Sequence, residues 1–226
     1  MPRHPQIKIC GLTRDDQAEA CVAAGADAIG LIFYSKSPRH VSDTQGARIA
    51  AAVATKAALV GVFVDAAEDE IMARVTACRL TAVQLHGQES AALVERLKNS
   101  GLTVIKALFA TRPPGFARAG DYRPAAFLVE CGQGDLPGGN ARAWKWADAI
   151  GIDTTFPLIL AGGLAPDNVN KAIAAARPAA VDVSSGVELA PGIKDMNKVR
   201  RFISEVHNCT TATPLAPVFN ERRSSC

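Results

Sequence analysis

The chain has 226 residues, 48% hydrophobic and 21% charged, which is enough apolar material for a substantial core and excludes a disordered or fibrous protein. Lys plus Arg exceed Asp plus Glu by 25 to 22, a net charge of +3, with no dense basic run; the footprint of a nucleic-acid binder is missing, while a small anionic substrate is compatible. Six cysteines, at 10, 21, 78, 131, 209 and 226, lack CxxC spacing, which argues against a zinc site and against a disulfide framework. The apolar runs are too short for a membrane span, and the opening Met-Pro-Arg-His-Pro-Gln lacks a signal-peptide core, so a cytoplasmic protein is expected.

In chain order, Gln6-Ile-Lys-Ile-Cys10 is an apolar strand that ends on Gly11. Period-two alternation puts Lys8 and Cys10 on one face and Ile7 and Ile9 on the other. A lysine beside a cysteine favours the thiolate, although a free cysteine is also commonly a small buried hydrophobe. Thr13 followed by Arg-Asp-Asp predicts a helix cap, and Ala24-Gly25-Ala26 a helix stop. Ala28 to Phe33 is a continuous apolar run, as in a strand covered on both faces. The rhythm repeats. Ser42 caps a helix to about Thr55, followed by a strand at Ala58 to Val64, a helix at Glu68 to Cys78 and a strand at Ala82 to Leu85. A helix at Glu89 to Asn99 then leads to a strand at Thr103 to Ala107.

The second half is less regular, with glycine- and proline-rich loops at Arg112-Pro-Pro-Gly and Gly132 to Gly139. Ala126 to Glu130, Pro157 to Ala161 and Ala180 to Val183 predict strands six to eight, and helices are expected at about Pro166 to Ala176 and Asp195 to Val206. Eight strands in this alternation predict a single α/β domain over residues 1–207, a (β/α)₈ TIM barrel, with an open doubly wound sheet as the competitor. Residues 208–226 lack periodicity and are expected to form a floppy tail.

Barrel active sites lie at the carboxyl ends of the strands. Those positions here hold Cys10, the loop Tyr34 to His40 with Lys36 and Arg39, Asp65, His86, Glu130, Gly162-Gly163 and Ser184-Ser185-Gly186. The glycine loops after strands seven and eight suit a phosphate, because glycine lets backbone N–H groups approach it. Lys8, Cys10, Gln84, His86, Lys106, Asp182 and Ser184 are expected to share the barrel interior, with Asp182 beside Lys8 once the barrel closes, since buried charges persist when paired. Arg39 suits a carboxylate but also fits a solvated loop. His86 is either a donor to substrate or a satisfied strand-end histidine. Glu130 is either an acid opposite Cys10 or an ordinary loop acid.

Lys8-Ile-Cys-Gly-Leu-Thr, Gly25-Ala-Asp-Ala-Ile-Gly, Phe33 to Arg39, Val60-Gly-Val-Phe-Val, Val83-Gln-Leu-His-Gly, Ala161-Gly-Gly-Leu and Val181-Asp-Val-Ser-Ser-Gly-Val-Glu188 together resemble the phosphoribosylanthranilate isomerases of tryptophan biosynthesis, in order from about Gln6 to Val206. The resemblance implies an Amadori rearrangement of N-(5-phosphoribosyl)anthranilate without a cofactor. It implies Cys10 as general base, the carboxylate ending strand six (Glu130) as general acid, Arg39 on the anthranilate carboxylate, and phosphate on Gly162, Gly163, Ser184, Ser185 and Gly186. Lys8, His86 and Asp182 complete the expected substrate site. It also implies a monomer or homodimer, and the charge balance and short apolar runs predict no nucleic-acid or membrane partner. The family usually has aspartate as its acid, followed by a GGSG or GGTG loop and Phe-Asp-Trp; here Glu130 precedes Gly138-Gly-Asn-Ala-Arg-Ala-Trp-Lys-Trp146. The alternatives are a histidine-pathway phosphosugar isomerase, which would favour aspartate at position 10, and a phosphate-binding barrel with weak or no turnover acting as a binding partner.

Overall fold

The structure is a computed structural model that describes residues 4–133, 144–210 and 215–219. Eight parallel strands close into a barrel: β1 (Gln6–Cys10), β2 (Ala28–Ile32), β3 (Ala58–Phe63), β4 (Ala82–Leu85), β5 (Thr103–Phe109), β6 (Ala126–Glu130), β7 (Leu158–Leu160) and β8 (Ala180–Val183). Closure is made by β8 on β1, with Gln6 opposite Ala180 and Lys8 opposite Asp182. The (β/α)₈ expectation therefore holds and the open sheet is excluded.

The helices are α1 (Asp15–Ala23), α2 (Asp43–Val53), α3 (Glu68–Ala77), α4 (Ala91–Asn99), α5 (Val169–Ala176) and α6 (Met196–His207). Ser42 caps α2 with a capping box completed by Gln45, and Asp195 caps α6 by accepting from Asn197 and Lys198 N–H; each satisfies N–H groups that a first helical turn leaves without a partner. The cap expected at Thr13 is absent. Arg14 holds that position without a side-chain bond, and the Thr13 hydroxyl donates instead to the Gly192 carbonyl at 2.8 Å. Short 3₁₀ turns, Phe116–Asp121 and Trp146–Gly151, stand where helices would follow β5 and β6. A small antiparallel hairpin, β9 (Glu188–Ala190) and β10 (Ile193–Lys194), follows β8.

Two cores result from strand alternation. Ile7, Ile9, Leu85, Val104 and Leu108 face the helices. Ala28, Ala58, Val60, Ala82, Ile105, Ala107, Phe109, Leu128 and Ile159 belong to the interior cluster. Lys106 pairs with Leu85 and Phe127 on the outer face, so its expected place in the polar interior is wrong. The β4–β5 register sets Gln84 against Ile105, which puts Lys106 one residue out of phase. There it is fully buried and pairs with Glu89 at 2.8 Å.

Five strands, β2, β3, β4, β6 and β8, begin on an inward alanine: Ala28, Ala58, Ala82, Ala126 and Ala180. So many small side chains leave the amino-terminal end of the barrel underfilled, and cores do not tolerate voids. Val218 and Phe219 join this interior cluster and are about 5% and 4% exposed. The Gln6 side chain fastens them, donating to the Phe219 carbonyl at 2.8 Å and accepting from Val218 and Phe219 N–H at 2.7 and 2.8 Å. The floppy tail expected over 208–226 is thus corrected for these residues, which are seated beneath the barrel. Residues 211–214 and 220–226, with Cys226, lie outside the described residues, as does the 134–143 part of the glycine-rich loop.

Candidate active site

At the carboxyl end of the barrel Cys10 ends β1 facing inward, 6% exposed. Its neighbour across the β1–β2 pairing is Gly30, and a Cβ on Gly30 would lie 2.6 Å from the Cys10 sulfur. Glycine is therefore what makes room for the thiol. Lys8 is fully buried and donates to Asp182 at 2.9 Å, the pairing expected from closure. Burial works against the Lys8 ammonium, but Asp182 and Cys10 together hold its pKa above the ordinary value.

The effect on Cys10 is a correction. Burial pushes the thiol up; Lys8 and Lys194 pull the other way, and Asp182 adds to the rise, so the net shift is upward. Sequence alternation found the lysine beside the cysteine but not the depth of burial, which disfavours the thiolate.

Glu130 ends β6 facing inward, opposite Phe109 in the β5–β6 register. Its carboxylate lies 3.3 Å from His86 Nε2. The other ring nitrogen, Nδ1, lies 2.9 Å from the Gln84 amide, and the ring stands edge-on to Phe109. His86 is thereby wedged between a strand neighbour and Glu130. Arg112 stacks over Phe109, 3.6 Å from the ring centroid; burial works against its charge, while the nearby Glu130 carboxylate favours it. β1 and β6 are three strands apart around the closed barrel, so thiol and carboxylate face each other across its mouth.

Arg39 is brought over the β1–α1 turn, where its Cδ would lie 2.6 Å from a Cβ on Gly11. It is 5% exposed rather than solvated, and it donates through Nε and Nη2 to both Glu188 oxygens at 2.9 and 2.7 Å. Burial opposes the Glu188 charge, but Arg39 and Lys194 hold its pKa below the ordinary value. Lys36 of the same loop is exposed. Asp65 has a turn role: φ is +51° and its carboxylate accepts from Gln88 N–H at 2.6 Å.

The loops after β7 and β8 meet. A Cβ on Gly186 would fall 1.9 Å from the Leu164 carbonyl oxygen, so only glycine allows this approach. Gly162 and Gly163 both have positive φ, +86° and +70°. Among the described residues, the N–H groups of Gly163, Ser185 and Gly186 donate to no other main-chain carbonyl. Two tryptophans fix this wall: Trp144 donates to the Ala161 carbonyl at 2.9 Å and Trp146 to the Gly162 carbonyl at 3.2 Å. Sequence reasoning missed them, along with Glu188 and Lys194 as contacts of Arg39 and Cys10. The only sequence signal was their nearness to the loop after β6 and to the VSSGVE string. No group of His, Cys, Asp or Glu among the described residues is arranged to hold a metal.

Chemistry-bearing side chains gathered at the carboxyl end of a closed parallel barrel, over an inert opposite end, define the class of (β/α)₈-barrel enzymes. Within that class, the sequence model of N-(5'-phosphoribosyl)anthranilate (PRA) isomerase matches residues 7–205, and the chain belongs to that family. An N-(5'-phosphoribosyl)anthranilate isomerase of Desulfatibacillum aliphaticivorans is 53% identical over 198 residues, covering 88% of this chain and 91% of the relative. The crystal structure of phosphoribosyl anthranilate isomerase from Thermotoga maritima superposes with a TM-score of 0.83 at 36% identity, covering 91% of this chain and all of that one. A phosphoribosyl anthranilate isomerase crystallised with reduced 1-(o-carboxyphenylamino)-1-deoxyribulose 5-phosphate superposes with a TM-score of 0.80 at 35% identity, with the same coverage.

Proposed function

We propose that this chain isomerises N-(5'-phosphoribosyl)anthranilate to 1-(2-carboxyphenylamino)-1-deoxyribulose 5-phosphate, with Cys10 as general base and Glu130 as general acid. The observation that carries this reading is the inward thiol on β1 facing the inward carboxylate on β6. In the first step Glu130 gives its proton to the furanose ring oxygen. The bond from that oxygen to C1 breaks as the anthranilate nitrogen lone pair forms a C=N bond. The Cys10 thiolate then takes the proton from C2, and that electron pair becomes a C1=C2 bond, giving the enolamine. A proton delivered to C1, as the enol hydroxyl on C2 gives up its own, yields the ketone at C2. Atoms and electrons balance, as an isomerisation requires.

Glutamate is one methylene longer than the aspartate usual in this family. His86 supports that longer reach by meeting the carboxylate at 3.3 Å, which limits its orientation. Lys8 and Asp182 sit one layer below the thiol and set its electrostatics. Arg39, aligned by Glu188, is suited to the anthranilate carboxylate. The main-chain N–H groups at Gly162, Gly163, Ser184, Ser185 and Gly186 are suited to the phosphate, as is common after the last two strands of such barrels.

Among the described residues no helix is long and apolar enough to cross a membrane, and all five described cysteines are free. Both facts support a cytoplasmic, small-molecule enzyme. The test is the fluorescence decay of phosphoribosylanthranilate generated in situ. Cys10→Ala and Glu130→Gln should each lose at least about 100-fold in kcat, the usual scale of a lost general acid or base. Wild-type turnover in either variant excludes that residue from its role. Wild-type protein that binds the substrate analogue without turnover would instead favour a phosphate-binding barrel.

A further inference from the structure

We infer that Lys194 is a positioning residue for the isomerase reaction, a buried ammonium that joins the backbone of Cys10, the loop after β8 and the Glu188–Arg39 pair into one rigid unit. Its Nζ donates to the Cys10 carbonyl at 2.6 Å and to Glu188 Oε1 at 2.7 Å. It also meets the Ser184 carbonyl at 3.3 Å and the Ser184 hydroxyl at 3.4 Å. The Cys10 contact spans 184 residues of sequence. Glu188 in turn receives both Arg39 donors and the Gly192 N–H at 3.2 Å.

The hairpin that delivers Lys194 is itself held. Gln17 of α1 accepts from Lys194 N–H at 3.0 Å and donates to its carbonyl at 3.1 Å. Thr13 holds Gly192, and Lys198 of α6 donates to the Glu188 carbonyl at 3.1 Å. Lys194 is 2% exposed, and burying a charge costs several kcal/mol unless partners replace water. A fold in need of stability alone would place an apolar side chain here at less cost. What the ammonium supplies is a set of directed bonds between three pieces of the site, at short range and in a low-dielectric surrounding. It also lies close enough to Cys10 to favour the thiolate.

The inference rests on the base and carboxylate-holding roles assigned to Cys10 and Arg39. Its test includes a readout independent of turnover. In Lys194→Met, kcat/KM should fall roughly 10- to 100-fold, the scale of a small misplacement at a catalytic centre. The midpoint of the pH profile for Cys10 alkylation by iodoacetamide should also move upward. Lys106→Met removes an equally buried, paired lysine from the outer face. It should lower Tm and leave the Cys10 alkylation profile in place. An unchanged profile and unchanged kcat/KM in folded Lys194→Met would overturn the inference. Should that variant fail to fold, Glu188→Gln reads the same linkage from its other end, with a raised KM and little change in kcat expected; an unchanged KM there overturns it equally. If the assigned roles themselves fail, Cys10→Ala stays active, an outcome separate from either of these.

Discussion

Cys10 shows how strongly a residue's chemistry depends on what closes over it. Beside Lys8 alone it would be a low-pKa thiol; buried, with Asp182 behind Lys8, its pKa lies above the ordinary 9.0. The sign of the pH dependence follows. A base works when deprotonated, so an upward shift leaves the free enzyme mostly as thiol at neutral pH. The rate of Cys10 alkylation, which needs only the thiolate, should therefore climb with pH through the alkaline range. Asp182→Ala removes the carboxylate that raises the thiol and breaks a pair whose lysine is fully buried. It should cost about 3–5 kcal/mol in denaturant unfolding and move the alkylation midpoint downward; unchanged stability together with an unchanged alkylation rate would rule out this coupling.

At the scale of elements, the site is assembled by loops that touch other loops. The β7 and β8 loops can meet only because Gly186 has no Cβ, and the β7 wall is fixed by Trp144 and Trp146 from the connection before it. Gly186→Ala would push these loops apart. The damage should appear chiefly as a raised KM, because the phosphate-facing backbone moves while Cys10 and Glu130 stay on their strands; inorganic phosphate, as a competitive inhibitor, should weaken in parallel. The β9–β10 hairpin carries as much of the site's order as any helix. Its period and length, three residues and two, are too short for a strand pattern to stand out in sequence.

For the whole molecule, the barrel has a working end and a sealed end. The sealed end is closed by Val218 and Phe219 against a ring of alanines. These residues lie beyond the 7–205 span matched by the family. Phe219→Ala should cost on the order of 3 kcal/mol, as large-to-small core changes do, lowering Tm by roughly 6–12 °C for a chain of this size. Gln6→Ala should produce part of the same loss. Neither reaches the catalytic end, so kcat at low temperature should stay at the wild-type value; a Tm unmoved by Phe219→Ala would show that the segment carries no stability.

By itself the sequence determined the order of strands and helices, because apolar runs and caps such as Ser42 are local signals. It also determined the closed barrel, the Lys8–Asp182 pair, since period two and closure together leave few positions free, and, through its motifs, the family. Ala82–Leu85, Ala126–Glu130 and Ala180–Val183 lie where alternation and turn residues put them. Only the tertiary structure decided the rest, and the reason is distance along the chain. Register between strands put Lys106 outside the barrel. Burial reversed the expected shift of Cys10, and contacts across 149 and 184 residues gave Arg39 and Cys10 their partners Glu188 and Lys194. The alanines that open the barrel floor and the Phe219 that fills it are each unremarked in sequence; their meaning lies in the space between strands, which no local pattern records.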